Sequence, residues 1–210
     1  MIAAVTNRRI CKRPFLEQIR RIAEAGPDML ILREKDLSRK EYTELAADCQ
    51  RICREYDVKL CVNSFVDTAK ELGIREIQLP MDVFMKDLSK GYTTYVSVHS
   101  LHEAKEAESL GAKYLIFGNV FETSCKPGMP AKGLKEIRNI SENVSIPVMG
   151  IGGIGCNNIA SVLAAGASGV CIMSLFMTAD DPSMLMTELR EQIVRNERWK
   201  TERTYILSDR

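Results

Sequence analysis

Apolar runs of strand length alternate with amphipathic helical stretches from one end of this 210-residue chain to the other. That alternation narrows the fold more than any other feature, because strand, helix and strand in succession return the chain to the same end of a parallel sheet. Strands are expected at residues 2–6, 29–32, 59–62, 76–79, 94–98 and 114–118, with two more inside 148–174. Between them, helices are expected at 14–25, from a Ser38/Glu41 capping box to about 56, at 66–72, from Ser100 to about 111, at 134–143 and at 182–195. Residues 81–89 have mixed periodicity and read as one irregular turn of helix. Eight strands with crossover helices predict an α/β fold, a single-domain (β/α)8 TIM barrel. The expected boundaries are 1–198 for the barrel and 199–210 for a charged C-terminal tail.

Composition removes several function classes. Charged residues make up 27% of the chain and the formal net charge is +1, so no uniform field recruits nucleic acid or an acidic membrane. No apolar run has the length of a membrane span, and the start, Ile-Ala-Ala-Val-Thr, lacks the succession of a secretory leader, so a cytoplasmic protein is expected. Seven scattered cysteines and two histidines, His99 and His102, do not form a zinc pattern. Cys49 and Cys53, one helical turn apart, read as small apolar fillers of a buried face. No metal site is expected.

The stretch from Val148 to Ser174 carries the strongest local signal. Glycines at 150, 152 and 153 follow a buried strand, and a second buried strand ends at Ser174 where a short extra helix begins. Such turns let backbone N–H groups converge on an anion, and in barrels they hold phosphate; the plain alternative is a turn that only changes direction. Gly152, Gly153 and Ser174 are therefore candidate phosphate ligands.

Barrel chemistry sits on the loops that leave the strands' C-terminal ends. Arg33 and Lys35 lie just past the second strand. Two readings stand: an anion site, with Arg33 as a planar fork and Lys35 as a point charge, or a solvated cluster paired with Glu34 and Asp36. Ser97 and His99 share one side of the fifth strand, where His99 is either a proton-transfer group or packing beside the Ser100 cap. The long polar loop 121–130 has the size of a lid or binding segment, with Thr123 and Lys126 placed to meet a phosphate. Its Cys125 is a nucleophile candidate without an implied base, or an ordinary thiol.

Together these residues resemble the thiamine phosphate synthase and TenI superfamily of α/β barrels. The resemblance runs from Leu30-Ile-Leu-Arg-Glu-Lys-Asp36 through Val96-Ser-Val-His99, Phe117-Gly-Asn-Val-Phe-Glu-Thr-Ser-Cys-Lys126 and Gly150-Ile-Gly-Gly153 to Ile172-Met-Ser174, leaving only the tail outside. The phrases at 99–104 and 117–126 look most like the TenI branch, the thiazole tautomerases. That branch moves a proton on a thiazole carboxylate phosphate without a metal, and its pattern has a histidine where this chain has Asn119.

The synthase instead joins a pyrimidine pyrophosphate to a thiazole phosphate and releases pyrophosphate. Its pattern implies a glutamine two residues before the arginine and two aspartates serving Mg²⁺, where this chain reads Ile31, Asn63-Ser64 and Gln78-Leu79-Pro80-Met81. Arg33, Lys35, Ser97, Thr123 and Lys126 match it.

The leading expectation is accordingly a TenI-like protein that binds a phosphorylated thiazole and tautomerises it, with His99 and Asn119 as catalytic candidates. Arg33, Lys35, Asn63, Ser97, Thr123, Lys126, Gly152, Gly153 and Ser174 are its candidate substrate ligands. The alternatives are the synthase or a non-catalytic phosphate-binding barrel. No cofactor is expected, with Mg²⁺ only if the synthase reading holds, and the partners expected are a small phosphorylated thiazole and a second copy in a homodimer, with neither nucleic acid nor membrane.

Overall fold

A computed structural model describes residues 1–86, 90–123 and 128–208, with side chains described as far as Arg195. Eight strands close into one parallel barrel: β1 (Ile2–Val5), β2 (Met29–Leu32), β3 (Lys59–Asn63), β4 (Glu76–Pro80), β5 (Thr93–Val98), β6 (Tyr114–Gly118), β7 (Val148–Ile151) and β8 (Gly169–Ile172). Each pairs with the next, and β8 returns to β1 through the Ile2–Val170 and Ala4–Ile172 registers. The expected strands are thus present, with ends differing by a residue.

Strand alternation builds two cores. Ala3, Val5, Met29, Ile31, Cys61 and Met149 belong to the set that fills the lumen. Their neighbours Ala4, Leu30, Leu32, Leu60 and Val62 point outward to the helices, which is why β1 and β2 are apolar on both faces.

The helices on that outer layer are α1 (Phe15–Glu24), α2 (Arg39–Glu55), α3 (Val66–Glu71), α4 (Met81–Phe84), α5 (Leu101–Ser109), α6 (Gly133–Asn143) and α7 (Ile159–Ala164). The capping box forms as read: Ser38 Oγ accepts from Glu41 N–H at 3.3 Å and Glu41 Oε2 accepts from Ser38 N–H at 2.9 Å. Cys49 and Cys53 are buried in the face that α2 turns to the core.

The irregular turn of helix expected at 81–89 opens as α4, a single helical turn; residues 87–89 lie outside the described ones. One helix end changes. A five-residue helix, α8 (Ser174–Thr178), follows β8, and then α9 (Pro182–Ser208) runs unbroken across the boundary expected at 198/199. The backbone of the 199–210 segment is therefore helical as far as Ser208. Helix α9 packs on α1 and α7 with Met186 and Leu189 buried, and Arg190 Nη2 donates to the Gly26 carbonyl at 2.7 Å.

Candidate functional site

The C-terminal ends of the strands open into a cavity of about 820 Å³. Arg33, Lys35, Asn63, Ser97, His99 and Asn119 all line it, as do Thr123, Gly152, Gly153 and Ser174. Lys126 and Cys125 lie outside the described residues.

On the β1–β2 side the charges sort themselves. Glu34 is buried and accepts from the Thr6 hydroxyl at 2.7 Å, the Arg8 N–H at 2.9 Å and Arg8 Nη1 at 3.1 Å. Asp36 meets the Arg8 guanidinium through two hydrogen bonds of 2.6 and 2.7 Å, and Arg9 adds a third. The Arg8 fork, followed by the Arg9 bond, holds the Asp36 carboxyl well below the usual carboxylate range. Glu34 and Asp36 are therefore committed to Arg8 and Arg9, and among the described residues Arg33 enters no ion pair. The Arg33 N–H is fixed on Thr6 Oγ1 at 2.9 Å, and the chain leaves β2 with its guanidinium at the cavity.

A wall of neutral side chains spans the next three strand ends. Asn63 Nδ2 donates to Gln78 Oε1, and Gln78 Nε2 donates to Ser97 Oγ at 2.7 Å. Asn63 is itself held by its backbone: its N–H donates to the Tyr42 hydroxyl at 3.1 Å, which donates to the Leu32 carbonyl at 2.6 Å. The Tyr42 ring stacks on Phe65 with centroids 3.9 Å apart. Sequence reasoning named Asn63 and Ser97 but not the Gln78 that joins them. Its inward place on an alternating strand was the available signal.

His99 stands at the end of β5 with Nδ1 2.8 Å from the Gly118 carbonyl. A carbonyl only accepts, so Nδ1 carries the proton and Nε2 is the nitrogen left for a ligand. Lys132 Nζ donates to the His99 carbonyl at 2.6 Å and its N–H to the Asn119 carbonyl at 3.0 Å, tying both ends of the β6–α6 loop to this corner. Asn119 is 2% exposed; its Nδ2 reaches the Phe121 carbonyl at 3.2 Å, while Oδ1 is buried with no partner among the described residues.

The glycine turn is required for a reason the sequence did not disclose. Gly152 has φ +100° and a Cβ there would stand 2.5 Å from the Asn119 Cβ; Gly153 has φ +65° and its Cβ would strike the Glu122 carbonyl. Both glycines let the β6–α6 loop lie against the β7 turn. Among the described residues their N–H groups have no acceptor, so they remain donors for an anion. Asn158 closes the turn, donating from Nδ2 to the Gly153 carbonyl at 2.8 Å and accepting from Gly155 N–H at 2.9 Å. Beyond it Cys156 faces Glu188 of α9, and burial followed by that carboxylate pushes its thiol up to about 11. Asn158 was legible as a polar residue ahead of α7. Glu188 carried no signal, since nothing local tells that α9 reaches the mouth.

A family model described as thiamine monophosphate synthase matches residues 2–176. A thiamine-phosphate synthase of Pyrococcus abyssi is 36% identical over 194 residues, covering 90% of this chain and 92% of its own. One from Clostridium acetobutylicum is 34% identical over 181 residues, covering 83% and 86%. The solved structure of thiamine phosphate pyrophosphorylase from Pyrococcus furiosus superposes with a TM-score of 0.82 at 33% identity, covering 93% of this chain and 96% of that one.

These relatives overturn the leading expectation of a thiazole tautomerase, since proteins so similar over most of their length carry the synthase name. The proton-transfer roles given to His99 and Asn119 belonged to that expectation and go with it. The structure also shows why the 99–104 phrase misled. Glu103 N–H donates to Ser100 Oγ at 3.1 Å and Glu103 Oε2 accepts from His99 N–H at 2.7 Å, so the phrase starts α5 whatever the reaction.

Proposed function

The chain belongs to the thiamine monophosphate synthase family, and from that premise we propose that it is a transferase joining a pyrimidine pyrophosphate to a thiazole phosphate. The methylene C–O bond to pyrophosphate breaks with its electron pair leaving on oxygen, and the thiazole nitrogen lone pair forms the new C–N bond. The observation that supports this reading most is the run of synthase relatives along nearly the whole chain, ahead of any single residue.

The cavity divides in a way that suits two phosphorylated substrates. Arg33 and Lys35 supply positive charge at the β2 end for the departing pyrophosphate. The N–H groups of Gly152 and Gly153, with the Ser174 hydroxyl, form a second anion site for the thiazole phosphate. His99 Nε2 and Thr123, which line the same cavity, would orient the ligands.

Mg²⁺, which the family implies, does not fit the side chains present. Magnesium enters such sites through carboxylates. Here the β3 and β4 ends carry amides bonded to one another, Glu34 is turned to Thr6 and Arg8, and no group of three His, Cys, Asp or Glu among the described residues is placed to hold a metal. No step is therefore assigned to the ion.

That donor set is also what favours a second reading, a barrel that binds the phosphorylated ligands without coupling them. Incubating the pure protein with both substrates separates the two. Formation of thiamine phosphate and pyrophosphate supports the transferase; tight binding of thiazole phosphate in a calorimeter with no product supports the binding role.

A further inference from the structure

Resting on the phosphate site of the transferase reading, we propose that Gln18, a buried residue of α1 in the outer layer, is a positioning residue for the thiazole phosphate. It grips the far end of α8 and so holds Ser174, the first residue of that helix, against the glycine turn.

Hydrogen bonding sets the direction of the grip. A five-residue helix ends before most of its carbonyls find a donor within it. Gln18, 1% exposed, sends Nε2 to the Phe176 carbonyl at 2.6 Å and to the carbonyl of Ala179, the residue that caps the helix, at 3.1 Å. Carbonyls only accept, so the amide nitrogen must face them, one hydrogen to each. The residue type points the same way. Gln18 shares the buried face of α1 with Ile19, Ile22 and Ala23, where packing alone asks for another apolar side chain.

The path from Gln18 to the anion site is one short helix. Ser174 lines the cavity with Gly152 and Gly153. Five helical residues span roughly 7.5 Å, too little to bend, so α8 moves as one piece. Its two ends are tied together: Thr178 Oγ1 donates to the Ser174 carbonyl at 2.9 Å, and Met177 N–H donates to the Met173 carbonyl at 3.0 Å. On the side of the turn, a Cβ at Gly155 would stand 2.9 Å from Leu175 Cδ1, so α8 already lies against the segment that follows Gly153. Two cations of the same region hold the chain beyond the helix instead, since Arg13 Nη2 and Arg21 Nη1 donate to the Asp180 carbonyl at 3.3 and 3.1 Å. Gln18 is the member of this group that bonds α8 and its cap.

The test uses the full chain, with the dissociation constants of thiazole phosphate and of the pyrimidine pyrophosphate measured separately in a calorimeter. Gln18→Met keeps the length of the side chain and offers no hydrogen. Gln18→Asn keeps the amide but is one methylene short, and carries the comparison if the methionine variant does not fold. Each is also combined with Ser174→Ala.

The expected result is roughly 10-fold weaker binding of thiazole phosphate in either variant, the size of the one hydrogen bond that Ser174 gives, with binding of the pyrimidine pyrophosphate unchanged. Combined with Ser174→Ala, the same substitutions should cost nothing further, because Gln18 acts through that hydroxyl. Unchanged binding of thiazole phosphate overturns the proposal. Equal losses for both substrates overturn it too, as do losses that add to that of Ser174→Ala, since a helix loosened in general would give either result. The expected pattern in a protein that forms no thiamine phosphate upholds the role of Gln18 and sinks the transferase reading instead.

Discussion

A methyl group at Gly153 would meet the Glu122 carbonyl and the Phe121 Cβ, and the backbone there is left-handed. Gly73 has the same φ of +65° with nothing within 4 Å of an added Cβ. The pair separates backbone strain from crowding: Gly73→Ala should cost about 1 kcal/mol in denaturant unfolding. Gly153→Ala should cost clearly more, and should weaken phosphate binding because the β6–α6 loop is displaced. Equal costs would mean that the loop yields freely. The sequence marked 152 and 153 as a glycine turn, but the reason both must be glycine lies in a loop about thirty residues earlier in the chain. The Arg8–Asp36 fork was hidden in the same way: Asp36 was read beside its sequence neighbours Arg33 and Lys35, and its actual partner enters from the β1 loop.

That fork has a pH signature. Because the folded Asp36 pKa is depressed, its contribution is fully present above the unfolded value near 4 and is lost as pH falls through the folded one. Wild type should therefore exceed Asp36→Asn in stability at neutral pH, and the gap should begin to narrow below about pH 4 and keep shrinking as pH falls further toward the folded value, as unfolding midpoints followed from pH 7 down through the acid range would show. A gap already closed at pH 4 would contradict the assignment.

Among the elements, the helix and strand ends carrying local signals were the legible ones. The Ser38/Glu41 box marks α2 to the residue, and Ser38→Ala should lower stability by roughly 1 kcal/mol. The bond from Tyr42 to Leu32 and Asn63 was not legible, since α2 must first pack on β2 and β3. Tyr42 is fully buried, so Tyr42→Phe leaves the Leu32 carbonyl and the Asn63 N–H without that partner. A loss of about 1–3 kcal/mol in denaturant unfolding is expected. Helix α9 exceeded its expected end for a related reason. A charged run after Arg195 resembles a tail by composition, whereas helix continuity depends on the backbone carrying on from a segment already docked through Met186 and Leu189.

At the scale of the whole molecule, closure of the barrel gathers strand ends that are far apart in sequence into one mouth with three chemistries. Cations stand at β2, neutral hydrogen-bonding groups at β3–β5, and free backbone donors at the β7 turn. The periodicity made the barrel legible, and the strand ends, the glycine turn, the long loop and the family resemblance together named ten of the residues lining its mouth. The reaction was less legible, because the phrases that pointed to a tautomerase also cap a helix and close a loop. The measurement that bears most directly on the account follows pure protein given the pyrimidine pyrophosphate and thiazole phosphate, with thiamine phosphate and released pyrophosphate quantified together. The account predicts equimolar appearance of both, falling at least ~10-fold in Arg33→Ala as the departing charge loses its fork. Absence of both products from a protein that still binds thiazole phosphate would contradict it.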